Sequence, residues 1–286
     1  MITMIKINHK FLRPLLKRRE DDSHKGDYGH LLLVGGCQAM PGAAVLATGA
    51  ALRSGCGLVT LHTTARAAQA AVTSFPSAML SEDPGDSFSR VPDGLLRFTA
   101  VAVGPGLGRT EQTEEAFAGL LTRIRGQEDV IPMVLDADAL FILAAHPELY
   151  QQIPAGSVMT PHEGELRRMI SWSTPEEKEV ALKKLSRESG CVIVAKGFQT
   201  AIYTPEGEKY VNTTGNPGLA KGGSGDVLTG LIGGLLARGY TALEAAALGV
   251  WIHGRAADYL TEKCTAEAYS SRDLIDALYQ GFKALL

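Results

Sequence analysis

Short aliphatic runs punctuate the chain at Leu31–Val34, Leu58–Leu61, Ala100–Val103, Met133–Leu135, Val158–Met159 and Val192–Ala195. Each is nearly continuous in apolar character instead of alternating, the pattern of a strand covered on both faces. Polar and apolar positions recur at helical spacing over Pro41–Ser54, Thr110–Arg125, Thr174–Ser189 and Asp226–Arg238. This alternation predicts an α/β fold with a mostly parallel sheet and helices on both faces. After Lys196 the pattern changes. Thr200–Tyr203, the turn Pro205-Glu206-Gly207 and Lys209–Val211 predict an antiparallel hairpin at the sheet edge. Thr241-Ala242-Leu243-Glu244 is a capping box that opens the last long helix. No linker, repeat or low-complexity tract interrupts the pattern, so residues 1–286 are expected to form one domain.

Ligands of open α/β sheets bind beyond the C-terminal ends of the strands. Gly35, Gly104, Asp136, Thr160 and Lys196 fall there. The densest chemical signal is the run from Gly215 to Asp226, Gly-Asn-Pro-Gly-Leu-Ala-Lys-Gly-Gly-Ser-Gly-Asp, which leads into the Asp226–Arg238 pattern. A glycine-rich turn at a helix start gathers unpaired N–H groups and the positive end of the helix dipole, which favours anions and phosphates above all. Glycine also reaches positive φ and lets backbone approach a ligand closely. Asp226 then stands where a general base for a substrate hydroxyl is needed. A capping aspartate in a plain loop accounts for this segment equally well.

Six segments stand out: Lys25-Gly26-Asp27-Tyr28-Gly29-His30, Gly42-Ala43-Ala44, Gly104-Pro105-Gly106-Leu107-Gly108, Leu135-Asp136-Ala137-Asp138-Ala139-Leu140, Thr160-Pro161-His162-Glu163-Gly164-Glu165, and Gly215 to Asp226. Taken together, they resemble the NAD(P)H-hydrate dehydratase family of the ribokinase-like superfamily. They arrive in the family's order between about Lys25 and Asp258. Cys37 and Ala39 stand where the family usually has Ser and Gly, a small departure in the first glycine loop. The resemblance implies a ribokinase-like fold and a nucleotide-dependent dehydration of the S epimer of NADHX or NADPHX, with ADP as the favoured co-substrate and ATP the alternative. It makes Asp226 the base and Gly222, Gly223, Ser224 and Gly225 the anion hole. Ala43, Ala44, Gly106, Gly108, His162 and Asp226 then face the hydrated dinucleotide. Lys196, Gly197, Phe198, Gln199, Thr200 and Gly225 line the nucleotide site. Glu165 and Asp136 are candidate Mg²⁺ ligands, since a hard cation wants oxygen donors; Asp136 and Asp138 are equally suited to capping the next helix. Lys221, next to the anion hole, is either a surface lysine or a screen for transferred phosphate. His253 and Arg255 are expected to pack. A homotetramer and coupling to an NAD(P)HX epimerase on another chain are further implications. A thiazole- or hydroxymethylpyrimidine-type kinase is the competing activity, but those families favour cysteine in the anion-hole turn, where this chain has Asp226. A non-catalytic nucleotide-binding regulator is the other alternative, and the intact Asp226 argues against it.

Composition narrows the picture little further. With 45% apolar and 6% aromatic residues the core is expected to be aliphatic. A net charge of −3 gives no reason to expect nucleic acid or an anionic membrane as partner. Cys37, Cys56, Cys191 and Cys264 form no Cys-x-x-Cys pair, so they read as buried free thiols in a reducing compartment. No run is apolar and long enough to span a bilayer, and the chain is expected to be cytoplasmic.

Overall fold

A computed structural model describes residues 4–286. Its strands are β1 (Met4–Ile7), β2 (His30–Val34), β3 (Leu58–Thr64), β4 (Met79–Asp83), β5 (Ala100–Val103), β6 (Met133–Leu135), β7 (Val158–Met159), β8 (Val192–Ala195), β9 (Ala201–Tyr203) and β10 (Lys209–Asn212). They form one sheet in the order β1-β10-β9-β8-β7-β6-β5-β2-β3-β4. Every pairing is parallel except those of β9, which runs antiparallel to β8 and β10. The expected hairpin therefore lies at one end of the sheet. Beyond it β1, absent from the sequence pattern, pairs parallel to β10 from Met4↔Lys209 to Ile7↔Asn212.

The helices are α1 (His9–Leu12), α2 (Pro41–Arg53), α3 (Ala65–Ser74), α4 (Glu111–Arg125), α5 (Ala137–Ala145), α6 (Glu163–Met169), α7 (Pro175–Ser189), α8 (Ser224–Ala237), α9 (Ala242–Thr261) and α10 (Ser271–Lys283). Successive strand residues enter opposite cores. Leu31 and Leu33 pack with α2, α8 and α9, whereas Leu32 and Val34 pack with α4 and α5. Double coverage is why these strands read as unbroken aliphatic runs. The glycines of α8 let it lie against α2: a Cβ at Gly230 would stand 1.9 Å from the Ala47 carbonyl oxygen.

Three differences from the sequence pattern bear on the site. Helix α8 starts at Ser224, two residues before Asp226, because Gly223 takes the left-handed conformation at φ 88° and reverses the chain there. Helix α9 begins at its expected capping box but is followed by α10, which packs on it. The Lys25–His30 segment lies at the N-terminal end of β2, where a Cβ on Gly29 would stand 1.7 Å from the Ala237 carbonyl oxygen. Ala237 ends α8, about 20 Å from its start. That motif therefore packs the far end of the molecule and contributes no side chain to the site.

Candidate functional site

The loops after β2, β5, β6, β7 and β8 meet at one edge of the sheet, where the first turn of α8 also arrives. The Gly35–Cys37 and Gly104–Gly108 loops are laced together: the Gly36 N–H donates to the Pro105 carbonyl at 2.9 Å, and the Cys37 N–H to that of Gly106 at 2.5 Å. Gly104 has φ 129°, and a Cβ there would fall 1.8 Å from the Asp136 carbonyl oxygen, so only glycine lets β5 and β6 end this close. Gly106 faces Ala43, with 3.2 Å between a Cβ placed on it and the Ala43 Cβ. Ala43 is half-buried, but Ala44 is wholly buried and packs toward Gly36, leaving its side chain out of reach of a ligand.

Neither early aspartate caps a helix with its side chain. Asp136 precedes α5 without bonding its amides. Instead it accepts from the Lys196 ammonium at 2.8 Å and from the Thr229 hydroxyl at 2.6 Å. Ala137, next to it, holds φ 49°, a left-handed conformation that is strained for a residue with a Cβ. Asp138 accepts from the Gly108 N–H at 3.0 Å and from Arg109 Nε at 2.5 Å, and so holds the Gly104–Gly108 loop. Lys196 also lies 3.9 Å from Glu165. Burial pushes the Lys196 pKa down, but Asp136, Glu165 and Asp226 outweigh it and hold the lysine above its ordinary value. Burial raises Glu165 to about 7, with Lys196 opposing and Asp136 adding to the rise. Burial also raises Asp226, helped by Asp136 and opposed by Lys196, to about 6. Among the described residues no side chain or amide hydrogen-bonds the Asp226 carboxylate, which leaves both oxygens for a ligand.

The start of α8 presents unpaired backbone N–H groups. Its first helical bond runs from the Val227 N–H to the Gly223 carbonyl at 3.1 Å, so the N–H groups of Gly225 and Asp226 precede the ladder, and Ser224 reaches only Lys221 at 3.4 Å. Positive φ is confined to Gly215 and Gly223 within the run from Gly215 to Asp226; Gly222 and Gly225 do not adopt it. Gly225 serves another purpose: a Cβ there would lie 3.3 Å from Lys196 Nζ and 3.7 Å from Asp136 Oδ2, closing the approach to both. Lys221 is among the residues that line the cavity beside this turn, and its ammonium is bonded to the carbonyls of Ala266 and Tyr269 and placed over the Tyr269 ring. It thereby ties the loop before α10 to the turn.

Beside this turn opens a cavity of about 640 Å³. Lys196, Gly197, Phe198, Thr200, Ser224 and Gly225 line it, while Gln199 of the same segment does not. Phe198 stands at the lip, 99% exposed. His162 lines this cavity too, on the same side as the Lys196–Thr200 segment. Its Nδ1 accepts from the Gly164 and Glu165 amides, capping α6, while Glu165 accepts in return from the His162 N–H at 2.7 Å. The proton of the neutral ring is therefore on Nε2, and burial together with Lys196 favours that neutral form. Asp226, Ala43, Gly106 and Gly108 do not line the cavity. His253, which the sequence pattern assigns to packing, is buried in the cavity wall with Nε2 3.0 Å from the Ser224 carbonyl. Burial outweighs this contact and lowers its pKa to about 4, so it stays a neutral donor. Arg255 is half-exposed and pairs with Glu262 at 3.3 Å at the surface.

Asp136 and Glu165 do not make a protein cage for a divalent cation. Both face the Lys196 ammonium, and no group of three or more potential ligands gathers among the described residues.

Residues 31–280 match the family model described as NAD(P)H-hydrate dehydratase. An ADP-dependent (S)-NAD(P)H-hydrate dehydratase of Neisseria meningitidis is 39% identical over 267 residues, covering 91% of this chain and 85% of the relative. A bifunctional NAD(P)H-hydrate repair enzyme of Moorella thermoacetica is 38% identical over 278 residues, covering 93% of this chain and 51% of the relative. The chain thus spans about half the length of that bifunctional relative. The Bacillus subtilis ADP/ATP-dependent NAD(P)H-hydrate dehydratase, co-crystallised with ATP and Mg²⁺, superposes with a TM-score of 0.84 at 31% identity, each chain covered completely.

Proposed function

The chain belongs to the NAD(P)H-hydrate dehydratase family, and from that premise we propose that it restores NADH and NADPH from their S hydrates at the expense of ADP. The observation that carries this reading is the position of Asp226. Its carboxylate is unpartnered, lifted to about 6, and set in the first turn of α8 directly after the cavity-lining Gly225, within electrostatic reach of Asp136, Lys196 and Asp138, the last of which holds the Gly108 N–H. A nucleotide occupies the cavity, with its terminal phosphate on the amides of the Gly222–Gly225 turn. The hydrated ring lies across the Gly106–Gly108 side. Asp226 accepts the proton of the ring hydroxyl, and that oxygen attacks the terminal phosphorus of ADP, breaking its bond to the bridging oxygen and releasing AMP. The Gly225 and Asp226 N–H groups hold the developing charge. Electron donation from the ring nitrogen then expels phosphate, and loss of the ring proton restores the reduced cofactor. The sum is NADPHX plus ADP giving NADPH, AMP and phosphate.

Relatives named for ADP support ADP over ATP. Magnesium in this reading travels with the nucleotide phosphates and is not held by Asp136 or Glu165. The same reading takes residues 1–286 as one dehydratase domain, in a cytoplasmic homotetramer coupled to an NAD(P)HX epimerase. The test is to incubate the purified protein with epimerising NADPHX and either ADP or ATP, following recovery of reduced-nicotinamide absorbance. Recovery with release of AMP supports the reading. A stable phosphorylated alcohol accumulating without NADPH overturns it in favour of a small-molecule kinase.

A further inference from the structure

Two guanidinium groups share one aromatic shelf beside the Gly108 loop. Arg109 Cζ lies 4.1 Å and Arg168 Cζ 5.8 Å from the Phe141 ring centroid. Arg109 directly follows Gly108 and is anchored through Nε to the buried Asp138 carboxylate at 2.5 Å. Arg168 sits on α6, three residues after Glu165, anchored through one nitrogen to the Gly164 carbonyl at 2.9 Å. Each fork is thus fixed at one point and lies on a flat surface, while its remaining N–H groups meet no acceptor among the described residues. Both side chains are exposed.

Placing two like charges on one ring costs energy unless an anion joins them. Asp138 balances only one of them. The other carboxylates nearby are engaged: Asp136 with Lys196 and Thr229, Glu163 with Lys178 and Arg167, and Glu165, which also feels the Arg109 charge, with the His162 N–H and Lys196. Neither arginine lines the cavity assigned to the nucleotide. Asp138 ties Arg109 to Gly108, on the side where the hydrated ring is proposed to lie. A guanidinium fork presents paired N–H groups at the spacing of phosphate oxygens, and stacking on an aromatic face holds it ready. On the dehydratase reading, we propose that Arg109 and Arg168 grip the phosphates of the dinucleotide substrate, Phe141 holding both forks in place. A dinucleotide offers two such groups: the diphosphate bridge common to both hydrates, and the 2′-phosphate of the NADP form alone.

NADPH and NADH, which carry the same phosphates and are stable, serve as probes. Their binding is titrated by fluorescence in the wild-type protein, Arg109→Lys, Arg168→Gln and the control Arg167→Gln. Arg109→Lys keeps the charge beside Asp138 but loses the fork. Thermal unfolding checks that each variant is folded. The expected result is a rise of about tenfold in the NADPH Kd for Arg109→Lys and Arg168→Gln, with Arg167→Gln and the Kd for ADP unchanged. Equal losses for NADPH and NADH place the grip on the diphosphate bridge; a loss confined to NADPH places it on the 2′-phosphate. Unaltered NADPH binding in both folded variants, an equal loss for ADP, or a wild-type protein that binds neither dinucleotide overturns the proposal. Turnover of epimerising NADPHX judges the reaction separately. Turnover without arginine-dependent binding removes only the grip, and arginine-dependent binding without turnover removes only the reaction.

Discussion

Replacing Asp226 by Asn separates its chemistry from its cost to the fold. Burial and the neighbouring Asp136, offset by Lys196, lift the carboxyl from 3.8 to about 6. The folded protein therefore holds this proton more tightly than the unfolded chain does. The resulting contribution to stability is fully present below the unfolded value and is lost as pH rises through 6. The two values correspond by linkage to about 3 kcal/mol at pH 7. Because Asp226 is only partly enclosed, solvent screening reduces this to about 1–2 kcal/mol. Asparagine has no charge to desolvate, so Asp226→Asn should unfold roughly 2–3 °C higher than wild type at pH 7, with most of that gain gone at pH 4. Turnover should fall about 10²-fold or more through loss of the proton acceptor, and the wild-type rate should rise along an acid limb near pH 6. Calorimetry at the two pH values, with NADPHX turnover at pH 7, checks both halves. A variant no more stable at pH 7, or equally stabilised at pH 4, refutes the burial argument. A near-normal rate removes Asp226 as the base.

Gly225→Val should weaken ADP binding and turnover together, because its side chain enters the space 3.3 Å from Lys196 Nζ and 3.7 Å from Asp136; a folded variant that titrates ADP normally would make the turn a mere connector. His162→Ala should raise the KM for the hydrate about tenfold, with a smaller change for ADP, and cost about 1 kcal/mol through loss of the α6 cap. His162→Asn should keep the cap and retain only the KM effect, whereas equal KM losses for both ligands would assign His162 to the nucleotide, whose cavity it lines. Asp136→Ala should destabilise by about 3 kcal/mol in chemical denaturation, because it strands the Lys196 ammonium and the Thr229 hydroxyl; a loss under about 1 kcal/mol would show that Glu165 or water compensates.

The strands were legible because both faces of the sheet are covered, which leaves unbroken aliphatic runs such as Leu31–Val34. Strand β4 was not, since Met79–Asp83 is largely exposed and carries Ser81, Glu82 and Asp83. Helices α5 and α6 begin almost directly after their strands, giving periodicity too little length to show. The Gly222–Asp226 turn pointed to an anion site, yet the run of small residues hid the two-residue difference in where α8 begins. Contacts between distant positions had no local signal: Asp136 meets Lys196 and Thr229 only through the fold, so the two early aspartates read as caps or metal ligands. Lys25–His30 shows the converse, a family signature that serves packing at the far end of α8.

The strand that closes the sheet beside the hairpin lies outside the family-matched region. Residues 31–280 carry the match, while β1 at Met4–Ile7 supplies the outer partner of Lys209–Asn212. A fragment trimmed to the matched region would leave the backbone donors and acceptors of β10 open to solvent, along a strand whose Tyr210 and Val211 are apolar. Bare edges of this kind recruit strands from other molecules. Residues Met4–Ile7 thus cover an edge that would otherwise invite association, and boundaries for expression are better set by the sheet than by similarity.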